Sequence, residues 1–190
     1  MSKMKKFLVK NKKNKAFTLI ETLVAVSILS LSILGLLSGL AGGITNISYI
    51  KQKIVATYLA QEGVESIRNM RDNYILSGGS ASSNWANFKA KLAPCNSNNQ
   101  CGLDNSVASS SNNFIFSCNA GGGNACKTYV TTGGNYNVNA VGVDSGLSRK
   151  LYAETPNSDE VRVYSTVEWM QGSGGKSVTF SEDLFNWVEK

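Results

Sequence analysis

The chain has 190 residues, room for one membrane-anchored domain and too few for a multidomain machine. Its formal charge is +6, but Lys3, Lys5, Lys6, Lys10, Lys12, Lys13 and Lys15 all precede residue 17 with no acid among them, and the other 12 basic residues face 13 acidic ones; most of the chain therefore has no electrostatic grip on nucleic acid phosphates. Histidine is absent, which removes Ser-His-Asp and Cys-His chemistry and most zinc sites, so the chain is expected to be no enzyme and to need no metal or other cofactor.

After the basic residues 1–16 comes an apolar run from Phe17 to Leu40, and between Lys15 and Lys51 its only charged side chain is Glu21. A hydrocarbon core needs about 20 apolar residues, so this run is long enough to cross it. The lysines before it place the N-terminus in the cytoplasm and residues beyond about 45 outside. Three assignments compete. A secretory signal would cut near Gly39-Leu40-Ala41, yet such h-regions run to roughly 7–15 residues. A plain signal anchor leaves Glu21 unexplained, since a carboxylate in a transmembrane helix costs on the order of a few kcal/mol and calls for a cationic partner.

The third assignment supplies that partner. Lys15-Ala16-Phe17-Thr18-Leu19-Ile20-Glu21-Thr22-Leu23-Val24-Ala25 resembles the leader and start of type IV prepilins and type II secretion pseudopilins, with Ala16 where that family usually has Gly. The resemblance implies cleavage by prepilin peptidase between Ala16 and Phe17, N-methylation of Phe17, and retention of the apolar helix. It implies other pilin or pseudopilin subunits, an inner-membrane assembly platform and the membrane as partners, with nucleic acid not expected among them. Physically, cleavage leaves an α-ammonium at Phe17, with Glu21 about 6 Å further along a helix. A Glu21 on one subunit can then pair with the Phe17 ammonium of a neighbour and set the stagger of packed helices. Ala25, Ser27, Ser30, Ser32, Gly35, Ser38 and Gly39 permit close helix approach, and the glycines predict local loosening.

Helical spacing continues through Ile47, Ile50, Ile54, Tyr58, Val64, Ile67, Met70 and Tyr74, so one helix is predicted to about residue 76, with 17–43 as its transmembrane and assembly half and 44–76 as its exported half. Ala60 to Asp72 resembles the mid-helix of minor pseudopilins. Ser77 to Ser83 ends the helix, and Trp85, Phe88 and Leu92 suggest one short amphipathic turn before Pro94. Residues 77–126 read as an Asn/Ser/Gly-rich loop region that disfavours a packed core. It holds Cys95, Cys101, Cys118 and Cys126, for which two disulfides are expected in an exported compartment; sequential pairing is the simplest of three connectivities, and spacing cannot choose among them. A four-thiolate zinc site fits the spacings poorly.

Residues 127–190 read as an antiparallel sheet head. Strands are expected at Asn113–Ser117, Thr128–Thr132, Tyr136–Val141, Arg149–Ala153 and Val161–Trp169, with a turn at Gly172–Gly175 into Ser177–Phe180. Val161, Val163, Ser165, Val167 and Trp169 share one face, expected to pack on Ile54, Tyr58 and Ile67 in an α+β fold of pilin-like type. The end, from Val167-Glu168-Trp169 to Leu184-Phe185-Asn186-Trp187, resembles the closing hairpin and tail of minor pilin-like proteins.

The resemblance implies a minor pilin or pseudopilin, a structural subunit of a type IV filament or a type II secretion-like pseudopilus, held in the inner membrane with its head outside and then in the filament. Cysteine placement favours the minor class, because 64 residues follow Cys126 whereas main pilins often close a C-terminal loop with a disulfide. The alternative is a signal-anchored exported ligand-binding domain outside any filament. Two weaker readings are a carboxylate pair drawn from Glu154, Asp159, Glu160 and Glu168, and a DNA contact through Trp85, Phe88, Lys89 and Lys91.

Overall fold

A computed structural model of the chain describes residues 17–96, 99–119 and 126–187. Two compact units divide it, one ending at Ile47 and the other running from Ser48. The first helix, α1, spans Leu19–Leu76. It is helical through Gly35, Gly39, Gly42 and Gly43, so the loosening expected there is absent. Each glycine costs about 1 kcal/mol against alanine, but an opened turn in an apolar surrounding orphans backbone donors and acceptors at several kcal/mol each. Opening costs more than the glycines do, and the helix stays closed.

Within the second unit α1 ends at Leu76, where Gly78 and Gly79 take φ of +83° and +95°, values that a side chain would strain. Ser80 then caps a second helix, α2, Ala81–Lys91, accepting the Ser83 N–H at 3.2 Å. The expected short turn is thus a full helix, with Trp85, Phe88 and Leu92 buried as a single stripe.

Among the described residues seven strands form one antiparallel sheet: β1 Cys101–Leu103, β2 Ile115–Ser117, β3 Lys127–Val130, β4 Tyr136–Asn137, β5 Val143–Asn157, β6 Glu160–Gln171 and β7 Gly174–Phe185. β5, β6 and β7 make a meander, while the other edge of β5 pairs with β1 and with β3, each extended by its neighbour, β2 or β4. The β6–β7 turn is two residues, Gly172 and Ser173, since Gln171 pairs with Gly174; Gly172 at φ +58° supplies the first position that such tight hairpins demand.

Three expectations change. The Asn/Ser/Gly-rich stretch contributes β1 beside the strand expected at Asn113–Ser117, which is β2, and it buries Cys101, Leu103, Phe114, Ile115 and Cys118, because β1 docks on β5 at Leu151 and composition alone does not register such pairing. The strand expected at Tyr136–Val141 stops at Asn137, whose carboxamide donates to the Tyr129 and Val141 carbonyls and accepts from the Asn139 and Val141 N–H groups, turning the chain instead of extending it. Arg149–Ala153 lengthens to Val143–Asn157, with Pro156 tolerated where the β5–β6 register shifts between Glu154 and Asn157.

The inner face of β6 is the one expected: Val161, Val163, Ser165, Val167 and Trp169 are all buried. The helix face that meets the sheet includes Ile67 as expected, but not Ile54 or Tyr58. Ala56, Leu59, Ala60, Val64, Ile67 and Met70 are buried, whereas Ile54 and Tyr58 are 50% and 68% exposed. Small residues explain the choice. A Cβ on Gly63 would lie 2.4 Å from Ser165 Oγ and 3.2 Å from Ser165 Cβ, so the backbone of α1 sits directly against β6, an approach Ile54 and Tyr58 would prevent. The core closes in two clusters, one around Ile67, Phe88, Leu103, Leu151 and Leu184, the other around Ala60, Val167 and Trp169.

Candidate assembly site

The first turn of α1 is organised by Thr18. Its carbonyl accepts the Glu21 and Thr22 N–H groups at 3.1 and 3.3 Å, and its Oγ1 lies 3.4 Å from the Glu21 nitrogen. Thr18-Leu19-Ile20-Glu21 has the Thr-x-x-Glu spacing of a capping box, which puts Glu21 at the third helical position where amide dipoles favour a negative charge by about 0.3–1 kcal/mol. Phe17 precedes the cap and is 77% exposed. Ala16, the residue expected before the cut, lies outside the described residues.

From Leu19 onward the apolar side chains of this unit are bare: Leu23, Ile28, Leu31, Leu34 and Leu37 are all exposed. α1 is long and apolar enough to cross a membrane, with a mean hydropathy of 2.3 in its most apolar window. Its polar side chains are neutralised locally. The hydroxyls of Ser27, Ser30 and Ser32 donate to the carbonyls of Leu23, Val26 and Ile28 at 2.8 Å, and Thr22 donates to Leu19 at 2.9 Å, so none of them requires water. Glu21 has no cation beside it among the described residues. A Cβ on Gly35, Gly39, Gly42 or Gly43 would meet nothing within 4 Å. No contact among the described residues requires these glycines, and close approach by another helix is a use that remains.

In the second unit the half of α1 opposite the sheet carries Ile50, Ile54 and Tyr58, spaced by four and all exposed. Its sheet-facing half is tied down by ions. The Arg149 guanidinium is buried and donates to Glu62 Oε2 at 3.0 Å and to the carbonyls of Leu59 and Leu103 at 3.5 and 3.3 Å, joining α1, β1 and β5. Burial pulls the Arg149 pKa below its ordinary value, and Glu62 offsets part of that. Arg68 reaches β7, donating to both oxygens of Glu182 at 2.6 Å; that bond, against some desolvation, raises its pKa. An arginine at an inward position between Leu147 and Leu151 is the sequence signal for this lock, and a glycine in mid-helix is the signal for the Gly63 contact; neither is weighed in a reading by periodicity alone.

The cysteines come together in sequence order, Cys95 with Cys101 and Cys118 with Cys126, with Cα separations of 4.8 and 5.2 Å. The four carboxylates do not converge. Glu154 accepts the Tyr152 hydroxyl, Glu160 takes Arg162 and Asn157, Glu168 takes Lys150, and Asp159 accepts from Ser158 and Asn186. The DNA-stacking reading fails on burial: Trp85 and Phe88 lie in the core, the Trp85 Nε1–H donates to the Ser158 carbonyl at 2.7 Å, and Lys89 donates to the same oxygen at 3.0 Å. Their spacing served helix packing.

The family described as the prokaryotic N-terminal methylation motif matches residues 11–37. No curated protein and no solved structure matches the chain. The motif covers the capped helix start and the bare apolar segment described above, and the long helix followed by a seven-stranded antiparallel sheet is an α+β arrangement of pilin-like type.

Proposed function

From the premise of a type IV pilin- or pseudopilin-like chain that carries the N-terminal methylation motif, we propose that the protein is a minor pilin or pseudopilin, a structural subunit of a type IV filament or a type II secretion-like pseudopilus. Prepilin peptidase cuts between Ala16 and Phe17, the new Phe17 amine is methylated, and the chain waits in the inner membrane with its head outside until it is drawn into the filament. The carrying observation is the motif over residues 11–37 opening an apolar helix that nothing among the described residues of its own unit covers. Two others support it. Gly35 and Gly39 have open space where a neighbouring helix backbone would lie, and the exported part of α1 keeps an apolar stripe, Ile50, Ile54 and Tyr58, turned away from its own sheet. Exposed apolar surface on a helix suits packing against further helices. Glu21 supplies register by pairing with a neighbour's Phe17 ammonium in the low dielectric of the packed helices. The membrane platform recruits the subunit, and the role is assembly rather than catalysis.

The direct test is the intact mass and first residue of the protein recovered from membranes of its own host. A chain starting at methylated Phe17 is expected. A start at Gly42 or an uncut Met1 would overturn the processing step.

A further inference from the structure

β7 is an open sheet edge of unusual length. It runs twelve residues, Gly174–Phe185, and pairs with β6 without a register shift, while among the described residues its other side pairs with nothing. The other outer strands are short, three residues in β2 and two in β4. Natural edges are blunted by shortness, proline, bulges or charge. β7 has no proline and no bulge, and its centre, Ser177-Val178-Thr179-Phe180-Ser181, has no charge. Lys176 and Glu182 bracket that centre.

We propose that this edge pairs with the same edge of a second copy, antiparallel and centred on Thr179. In that register Val178 stands opposite Phe180, Ser177 opposite Ser181, and Lys176 opposite Glu182, each pair occurring twice about the two-fold. Even-numbered residues of β7 face α1 and odd-numbered ones face away: Leu184 is buried and Val178 and Phe180 pack against the Trp169 cluster, whereas Ser177, Thr179 and Ser181 are exposed. Each apolar pair and each charge pair therefore falls on one face, and the small hydroxyl residues fall on the other. Shifting the register by two residues removes the Lys176–Glu182 match. Lys176 has no ion pair within its own chain among the described residues, so the contact gives it one. Glu182 already holds Arg68 and retains the capacity to accept a further donor.

The helices leave room. Gly63 of α1 meets Ser165 of β6, so at that point the helix axis lies over the second strand from the edge. At about 4.8 Å between strands, that places the two copies of α1 about 14 Å apart, beyond the 8–10 Å of packed helices. A two-fold axis normal to the sheet reverses α1 between the copies, so the contact joins chains that are not neighbours along one polar assembly. Under the function proposed above, it therefore joins chains of oppositely directed assemblies and not two copies anchored side by side in one membrane.

The test uses the full chain in detergent, with single cysteines on the exposed face of β7 and the native cysteines left oxidised. Under mild oxidation Thr179→Cys is expected to form a covalent homodimer. Ser177→Cys and Ser181→Cys are expected to stay monomeric alone and to cross-link when mixed, because each faces the other across the axis. Lys176→Glu in the Thr179→Cys background is expected to lower the cross-linking yield about tenfold by setting like charges opposite each other; its distance from the core makes folding a separate and checkable readout by circular dichroism. Equal self-linking at 177, 179 and 181 would overturn the register. Absence of any dimer, or capture of a different protein at Thr179, would overturn the second copy as occupant.

Discussion

Glu21 does two things that a single substitution confounds. As the third residue after Thr18 it favours the start of α1, and as a carboxylate in an apolar segment it is available to a cation on a neighbour. Glu21→Gln keeps a residue type that suits the third position of a capping box without the charge, while Glu21→Val loses both. If charge pairing sets the stagger, both variants insert normally and both fall at least tenfold in filament incorporation, the loss of more than about 1.4 kcal/mol of pairing. Normal incorporation of Glu21→Gln in a filament pull-down would leave only the capping role. Gly63 is constrained by contact in the same exacting way. Alanine there gains about 1 kcal/mol of helix propensity but drives a methyl into Ser165, and overpacking costs about 1–3 kcal/mol. Gly63→Ala should thus lower stability by about 1 kcal/mol in urea unfolding of the detergent-solubilised chain. Adding Ser165→Ala should recover most of the loss, because the Ser165 hydroxyl is buried without a partner and its removal leaves nothing unsatisfied.

At the scale of elements, α1 has two apolar faces in the part that belongs to the second unit. The one with Ala56, Ala60, Gly63 and Ile67 is consumed by the sheet, and the one with Ile50, Ile54 and Tyr58 is not. Periodicity announces both stripes and cannot say which one the sheet takes; residue size decides, since the close approach to β6 at Gly63 admits no side chain there. Ile54→Glu should leave the head folded, with a melting temperature within a few degrees of the parent because exposed substitutions usually cost under about 0.5 kcal/mol. Incorporation into filaments should fall sharply. A large drop in melting temperature would instead mean that Ile54 supports its own head.

The second unit as a whole is held by polar ties besides its core, some buried and some at the surface, and these carry a pH dependence. Burial pushes the Asp104 carboxyl up, but hydrogen bonds from the Ser106 hydroxyl and N–H outweigh it and hold the pKa below the ordinary aspartate value of 3.8. Asp183 is lowered too, first by its bond from Arg162. A carboxyl depressed in the fold adds stability above its unfolded pKa and loses it as pH falls through the folded one. Stability should therefore be level from pH 7 to 5 and decline below about pH 4. Asp104→Asn should lower stability at pH 7 by on the order of 1 kcal/mol and flatten that acid limb, with thermal melts at pH 3, 4, 5 and 7 as the measurement. An acid limb identical to the parent's would assign the decline to other groups.

Local chemistry determined what the sequence alone makes legible. The basic leader, the apolar run with its one carboxylate, the Thr18-to-Glu21 spacing, the period-two face of β6 and the Gly172 turn each depend on residues a few positions apart, and each is present in the amino-acid order before anything folds. Tertiary structure decided what depends on distant partners. Cys101 and Leu103 became a buried strand because Leu151, fifty positions on from Cys101, offered an edge to pair with, although their surroundings have the composition of a loop. Trp85 and Phe88 went into the core because Ser158 and the β5–β6 end cover them. Arg149 could be buried only because Glu62 and two backbone carbonyls from other elements meet it there. Burial and pairing are properties of two segments at once, so no pattern within one of them records the outcome.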